Sequence, residues 1–267
     1  MYICYMLYVI VRQLYLISGI SKMNKIIAAL LFILPTSVFA ETNSLFNGYY
    51  VGGGLGYSHG KVAEGNTDWL ENGTTPYLTS GSNSNFNHML ININAGYNLQ
   101  LDNKSIIGFE IDNSTVNQTA NGEALNYDIS FNVVSDRLIS KTKIDNIQTL
   151  RLKYGLELKD VYFYVTGGLA LTKVKREVTG VNDGMGWAFF DFGESQKKTS
   201  FETGYAIGAG MEMPIKDNLT FNLKYIYTDF GDIKYTYQGH AFGAVNDGNQ
   251  KIRLDNSMLT IGLNYHF

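Results

Sequence analysis

Apolar and polar residues alternate along most of this chain with a period of two. The stretch HMLININAGYNLQL shows it most plainly. Met89, Ile91, Ile93, Ala95, Tyr97, Leu99 and Leu101 share one parity, and His88, Asn92, Asn94, Gly96, Asn98 and Gln100 the other, with Leu90 the one apolar exception. Successive side chains of a strand point to opposite faces, so this segment predicts a strand with one apolar face and one polar or small face. The pattern returns in 105–115, 145–158, 161–173, 200–213, 219–229 and 254–267, and 48–59 begins the series, which makes eight strands. Each is about ten residues or longer, the length a tilted strand needs to cross a bilayer.

The connections alternate in length. Those near 102–104, 159–160 and 214–218 are short, and those near 61–86, 116–144, 175–199 and 230–253 are long, polar and rich in Asn, Gly, Ser and Thr. Short turns at one end and long loops at the other are the signature of an outer-membrane barrel. The pattern therefore predicts an all-β fold, an eight-stranded antiparallel up-and-down transmembrane β-barrel. Its apolar face meets lipid, its polar face fills the interior, and closure leaves no unpaired edge. A soluble, lipocalin-like barrel would use the same alternation with the apolar face inward. The loops gathered at one end, the charges recurring mid-strand on the polar face and the tyrosines near strand ends favour lipid.

The N-terminus adds an export signal. Met23-Asn24-Lys25 gives a short positive start, Ile26 to Leu34 an apolar core, and Val38 and Ala40 suit a signal peptidase. The apolar run is too short to span a membrane as a helix. We expect residues 23–40 to be the signal peptide and 41–267 the mature barrel. Residues 1–22, which precede the signal, are expected to be a start-site artefact or a leader extension. Cys4, the single cysteine, lies in that leader, so no disulfide framework is expected in the mature chain. Charged residues are 17% of the whole chain, which gives little support to a basic nucleic-acid surface.

GGGLGYSHGK, residues 52–61, resembles a phosphate-binding loop only at first sight. Gly60-Lys61 is followed by Val62, and no G-x-G-x-x-G spacing fits from Gly52 or Gly54. As part of the first strand it puts Tyr49, Val51, Gly53, Leu55 and Tyr57 toward lipid. Its inward glycines remove volume from a crowded small barrel and let the sheet bend.

At three places the residues also resemble a known family. FNGYYVGGGLGYS resembles the first strand of the OmpA-like and opacity-protein-like small outer-membrane barrels of Gram-negative bacteria. LKYIYTDFGDI, residues 223–233, resembles that family's seventh strand, and MLTIGLNYHF its terminal strand. The resemblance implies an eight-stranded barrel in the bacterial outer membrane, with outer loops at the cell surface. It also implies that the terminal aromatic, Phe267, with Tyr265 two before it, is read by the barrel-assembly machinery. It does not fix an activity, because members of one fold differ in function.

Candidate chemistry is sparse. Glu110, Arg151, Lys153, Glu202 and Lys224 fall on the polar faces of the third, fourth, sixth and seventh strands, where interior ion pairs would fill a narrow lumen or line a pore. A Glu110–Arg151 or Glu110–Lys153 contact is expected. The histidines, His59, His88, His240 and His266, are scattered. Ser58 and His59 are neighbours in a strand and cannot form a dyad, so no catalytic residues, cofactor or metal are expected. In the third long loop, Trp187, Phe189, Phe190 and Phe192 form a candidate binding patch. The expected role is non-enzymatic: envelope structure, surface display or adhesion, with lipid and a host-surface or envelope ligand as partners, and a monomer. A small-solute pore is the alternative, and a lipid hydrolase or protease a distant one.

Overall fold

A computed structural model of the chain describes residues 44–71, 75–79, 83–101, 104–128, 133–182, 195–241 and 244–267. The expected leader and signal peptide lie outside them. Nine strands are formed: β1 (Gly48–Glu71), β2 (Thr75–Thr79), β3 (Asn83–Gln100), β4 (Ser105–Asp128), β5 (Val133–Leu158), β6 (Val161–Asn182), β7 (Gln196–Lys216), β8 (Leu219–Ala241) and β9 (Ala244–His266). Each long strand pairs antiparallel with the next, and β1 pairs with β9, so β1 and β3 to β9 close an eight-stranded ring. The short β2 pairs with the upper ends of β1 and β4.

Between β5 and β6 the turn is Lys159–Asp160, with φ of 50° and 66°. Two consecutive residues at positive φ make a turn whose twist matches that of the flanking strands.

The belt expected from the sequence is present. Leu55, Met89, Ile91, Leu152, Val165, Leu169, Ile207 and Leu259 are among the large apolar side chains exposed on the outer surface. Tyr49, Tyr57, Tyr154, Tyr205, Tyr225 and Tyr265 are also exposed on it. An apolar band of this kind, with aromatics among its members, fits a bilayer.

The strands are longer than the alternation predicts. β5 has 26 residues and β1 and β4 have 24 each. At a rise of about 3.3 Å per residue and a tilt near 40°, such strands stand about 60 Å tall, whereas the apolar band of an outer-membrane barrel is about 25 Å. Less than half of the barrel is therefore in lipid. Much of what reads in the sequence as long outer loops is paired strand: β4 and β5 stay in register from Gln118↔Ile144 to Asn126↔Asp136 and, after one shift, pair on to Asp128↔Val133.

In this upper part the rule of the belt is inverted. Val62, Val116, Ile144, Val174, Ile233, Ile252 and Leu254 point inward and are buried, while Lys61, Lys143, Lys175 and Lys251 point outward and are exposed. Water outside and a packed core inside is the soluble arrangement, and lipid outside is the opposite one. Bulges mark the change. In β5 the inward parity is odd at Arg151, Thr149 and Ile147 and even at Ile144, Thr142 and Ser140, across a register shift at 145–146. In β8 it passes from Ile226 and Thr228 to Ile233 and Tyr235 across a shift at Asp229/Asp232, where Gly231 has φ 65°. One extra residue reverses which side chains face the core.

Closure of the ring depends on close approach. Gly54 on β1 lies opposite Gly262 on β9. A Cβ at Gly262 would stand 2.5 Å from the Gly53 carbonyl oxygen, and one at Gly54 would stand 2.3 Å from that of Ile261. Both obstacles are backbone and cannot swing aside. Outward-facing Gly53 has room, its nearest neighbour being 3.4 Å away. Gly262→Val is expected to cut the folded fraction severalfold, read as loss of the fast-migrating unheated form on a gel, while Gly53→Ala folds like the wild type.

Candidate functional site

The largest described concentration of charge out of reach of solvent is in the lower lumen, and it is built strand by strand from inward positions. β4 supplies Glu110 and Asp112, two residues apart and so on one face. β5 supplies Arg151 and Lys153, with Arg151 directly across from Glu110. β7 supplies Glu212, β8 Lys224 and β9 His266. All seven are buried.

Glu110 is the hub. Its carboxylate accepts from Arg151 Nη2 at 2.5 Å, from Lys224 Nζ at 2.9 Å and from the Tyr50 hydroxyl at 2.8 Å, with Lys153 Nζ 3.8 Å away. Asp112 accepts from Arg151, and Lys224 Nζ lies 3.4 Å from it. Lys153 donates to Glu212 at 2.8 Å, and His266 Nε2 is 3.5 Å from the same carboxylate. The Lys153 ammonium is also caged by rings, 4.8 Å from the centroid of Tyr50, 5.3 Å from Tyr162 and 4.2 Å from Tyr164. Three carboxylates thus meet three basic side chains. Charges cut off from water are tolerable only when paired and hydrogen-bonded in this way.

The network is sealed on both sides. Below it, Phe46 is 1% exposed, 5.6 Å from the Tyr162 ring and 6.1 Å from His266. The segment that carries it is tied down by Ser44, which donates to Glu157 at 2.8 Å, and by Asn47, whose side-chain oxygen accepts from the Gln100 amide at 3.0 Å. Beside and above it, amides and hydroxyls bridge the strands: Asn94 and Asn222 both donate to Asn264, and Gln118 donates to Ser58, which donates to Asn256. Higher still come the inward apolar residues of the upper barrel, around Leu90, Phe86, Met258 and Phe230. Among them sits a further buried cation. Arg176 donates to Glu64 at 3.0 Å, Thr142 at 2.9 Å, Gln250 and Tyr237 at 2.6 Å each, and Ser140 donates to Glu64 at 2.6 Å.

Of the interior ionic residues expected from the sequence, the fold brings Glu110, Arg151, Lys153 and Lys224 together. Glu202 stands apart, partly exposed on the upper half of β7, across from Thr172. Asp112, Glu212 and His266 were missed as members, though each lies on the polar face of its strand. Arg176 and Glu64 were missed because their segments read as loop. Tyr265 and Phe267 are exposed on the belt at its lower edge, their rings edge-on at 5.2 Å. Trp187, Phe189, Phe190 and Phe192 lie outside the described residues. His59 and His88 do not meet. His59 contacts Asn87 at 2.5 Å and His88 its neighbour's Met89 carbonyl at 2.7 Å. Among the described residues no group of three or more His, Cys, Asp or Glu is placed to hold a metal ion.

Comparison with known proteins gives a consistent picture. The sequence profile described as "Outer membrane protein beta-barrel domain" matches residues 26–267. The 31 kDa outer-membrane immunogenic protein of Brucella melitensis is 26% identical over 234 residues, covering 87% of this chain and 88% of that protein. The 22 kDa outer membrane protein of Rhizobium leguminosarum bv. viciae is 31% identical over 101 residues, 38% of this chain and 41% of that one. Among solved structures, the outer membrane protein OprG of Pseudomonas aeruginosa aligns over 84% of this chain and 98% of its own at 14% identity and a TM-score of 0.44.

Removing the hub of a buried network strands its partners. Glu110→Ala is expected to cost about 3–5 kcal/mol in denaturant unfolding of the vesicle-inserted barrel, because Arg151 and Lys224 are left buried without their main partner. Replacing both members of one pair, Glu110→Met with Lys224→Met, is expected to recover a large part of that loss.

Proposed function

This chain belongs to the outer membrane protein beta-barrel domain family, and we propose that within the outer membrane it is a non-enzymatic structural barrel that displays its outer connections, with an adhesin-like role. The observation that carries this reading is the filled lumen. A pore needs a continuous water path. Here Phe46, the charge-balanced network around Glu110 and the apolar layer around Ile226 and Met258 lie in series. Each would have to move for a solute to pass. A hydrolase needs a nucleophile with a base and an orienting group within hydrogen-bond reach. The buried charges instead neutralise one another.

The tall upper barrel supports the display reading. It carries the outer connections clear of the lipid on a packed, paired support. The connection between β6 and β7 holds Trp187, Phe189, Phe190 and Phe192, the aromatic set we assign to ligand contact. At the opposite end, Tyr265 and Phe267, exposed at the edge of the belt, are the residues we assign to recognition by the assembly machinery.

Two measurements test this. Purified protein in a planar bilayer is expected to give no discrete conductance steps. Steps that Glu110→Ala or Lys153→Ala alters would establish the pore instead. Replacing residues 184–193 by a Gly/Ser segment is expected to abolish binding of expressing cells to host surface or matrix while leaving heat-dependent gel mobility intact. Unchanged binding would remove the role assigned to that connection.

A further inference from the structure

The outward face of the upper barrel is not uniform. On β3 and β4 it is mostly uncharged, with Asn85, Asn87, Asn117, Thr119 and Asn121 exposed and Glu123 a carboxylate beside them. On β5, β6 and β7 it carries exposed lysines: Lys141, Lys143, Lys173, Lys175 and Lys197. Two carboxylates stand among them. Asp145 lies 3.2 Å from Lys143 and 2.6 Å from Lys175, and Glu177 lies 3.3 Å from Lys197. The patch keeps an excess of positive charge.

Its centre is a conflict. Lys143 and Lys175 face each other directly across β5 and β6, both nearly half exposed. Like charges placed directly opposite destabilise a sheet. Asp145 lies between them, and its hydrogen bond from Lys175 holds its carboxyl below the usual range, so it stays ionised. One carboxylate still serves two ammonium groups.

The neighbours point to lipid. Lys173 is paired across β6 and β7 with Phe201, which is 71% exposed, and the ammonium lies 5.5 Å from the ring centroid. Below them on the same outward face of β6 is Leu169, a belt residue that is 62% exposed. Two residues of a tilted strand climb about 5 Å, and the headgroup layer adds about 6 Å to each side of the hydrocarbon. Measured from Leu171, the apolar outward residue two below it on β6, Lys173 with its partner Phe201 therefore falls in that layer, and Lys175 and Lys143 stand about 5 Å higher, just above it. An exposed aromatic beside a lysine is favourable there, the ring among headgroups and the ammonium reaching for phosphate. On the β8–β9–β1 face Lys234 and Lys251 also stand directly opposite each other, but three carboxylates, Asp229, Asp232 and Asp255, stand against the four cations Lys61, Lys234, Lys251 and Arg253, with Arg253 Nη2 held by Asp229 at 2.7 Å, so that face keeps less excess positive charge.

We propose that the lysine patch of β5, β6 and β7, with Phe201 at its lower border, is a docking site for the phosphate headgroups of anionic lipid in the outer-facing leaflet, so that such lipid gathers on one side of the barrel. It continues the lipid-facing belt without a break, and its charge is complementary to phosphate.

The probe is protein reconstituted into vesicles of phosphatidylcholine mixed with phosphatidic acid, with co-purifying lipid read by native mass spectrometry. Wild type is expected to carry phosphatidic acid in excess of its share of the vesicle. The triple variant Lys143→Gln, Lys173→Gln, Lys175→Gln is expected to lose that enrichment about tenfold, the attraction of the lysines being partly offset by Asp145. Lys61→Gln with Lys234→Gln and Lys251→Gln, the same charge change on the other face, is expected to alter it less than twofold. Gel mobility before heating checks folding. In the wild type, raising ionic strength is expected to reduce the enrichment. Enrichment that survives in the triple variant, that falls equally in both variants, or that ignores salt in the wild type overturns the proposal. So does binding of soluble heparin in detergent that displaces phosphatidic acid and depends on the same lysines, because the patch would then serve a free polyanion.

Discussion

Inside a bilayer a backbone amide or carbonyl has no water to bond with, so a sheet that crosses must pair every strand on both sides. Everything else in this barrel follows from meeting that condition with eight strands. The ring is small, its lumen is about wide enough for side chains alone, and the seam between β1 and β9 brings Gly54 against Gly262 where no larger residue fits. The inward residues must then be small, or pack against one another, or neutralise one another. The lower barrel uses all three: glycines on β1, Phe46 against Tyr162, and Glu110 among its cations.

Hydrophobic burial works in opposite senses along the same strands. In the belt the apolar side chains are outside, where lipid accepts them, and polar groups must satisfy one another inside. Above it, water is outside and the apolar side chains return to the interior. The change needs no break in the ring: β6 and β9 make it with one inward parity throughout, and β5 and β8 take an extra residue, at 145–146 and at Gly231. The buried Arg176 shows that even the upper core keeps one polar crossbrace, satisfied by four partners from four strands.

How legible this was depended on which solvent each segment faces. The belt segments have an uninterrupted apolar parity, as in Met89 to Leu101, and the strands, their order and the closed ring could be read from it. The upper barrel could not. Inward positions such as Ser140, Thr142, Gln118 and Gln250 are polar, and outward Ile139 and Phe201 are apolar, so neither parity stands out. The bulges then shift what pattern remains by one residue. The ionic cluster was half legible. Glu110 and Arg151 could be matched by their height above the turns, because they are neighbours across one hairpin. Glu212 and His266 reach the cluster from strands β7 and β9, a placement set by how the ring closes and not by any local spacing. Glu202 failed for the same reason in reverse: it shares a parity with Glu212 but sits ten residues farther up β7.

The seam has a consequence in time. Its two sides, Tyr50 to Trp69 and Gly248 to His266, are separated in sequence by all the other strands of the ring. The first strand cannot find its last neighbour until the whole chain has been made and delivered, and contacts so remote in sequence make for slow folding. Until then both edges of the sheet are open, and side chains such as Leu55, Ile261 and Phe267 have no lipid to face. The native barrel has no edge to offer another chain, but its precursor has two, which makes the unclosed intermediate the most aggregation-exposed stage in the life of this protein.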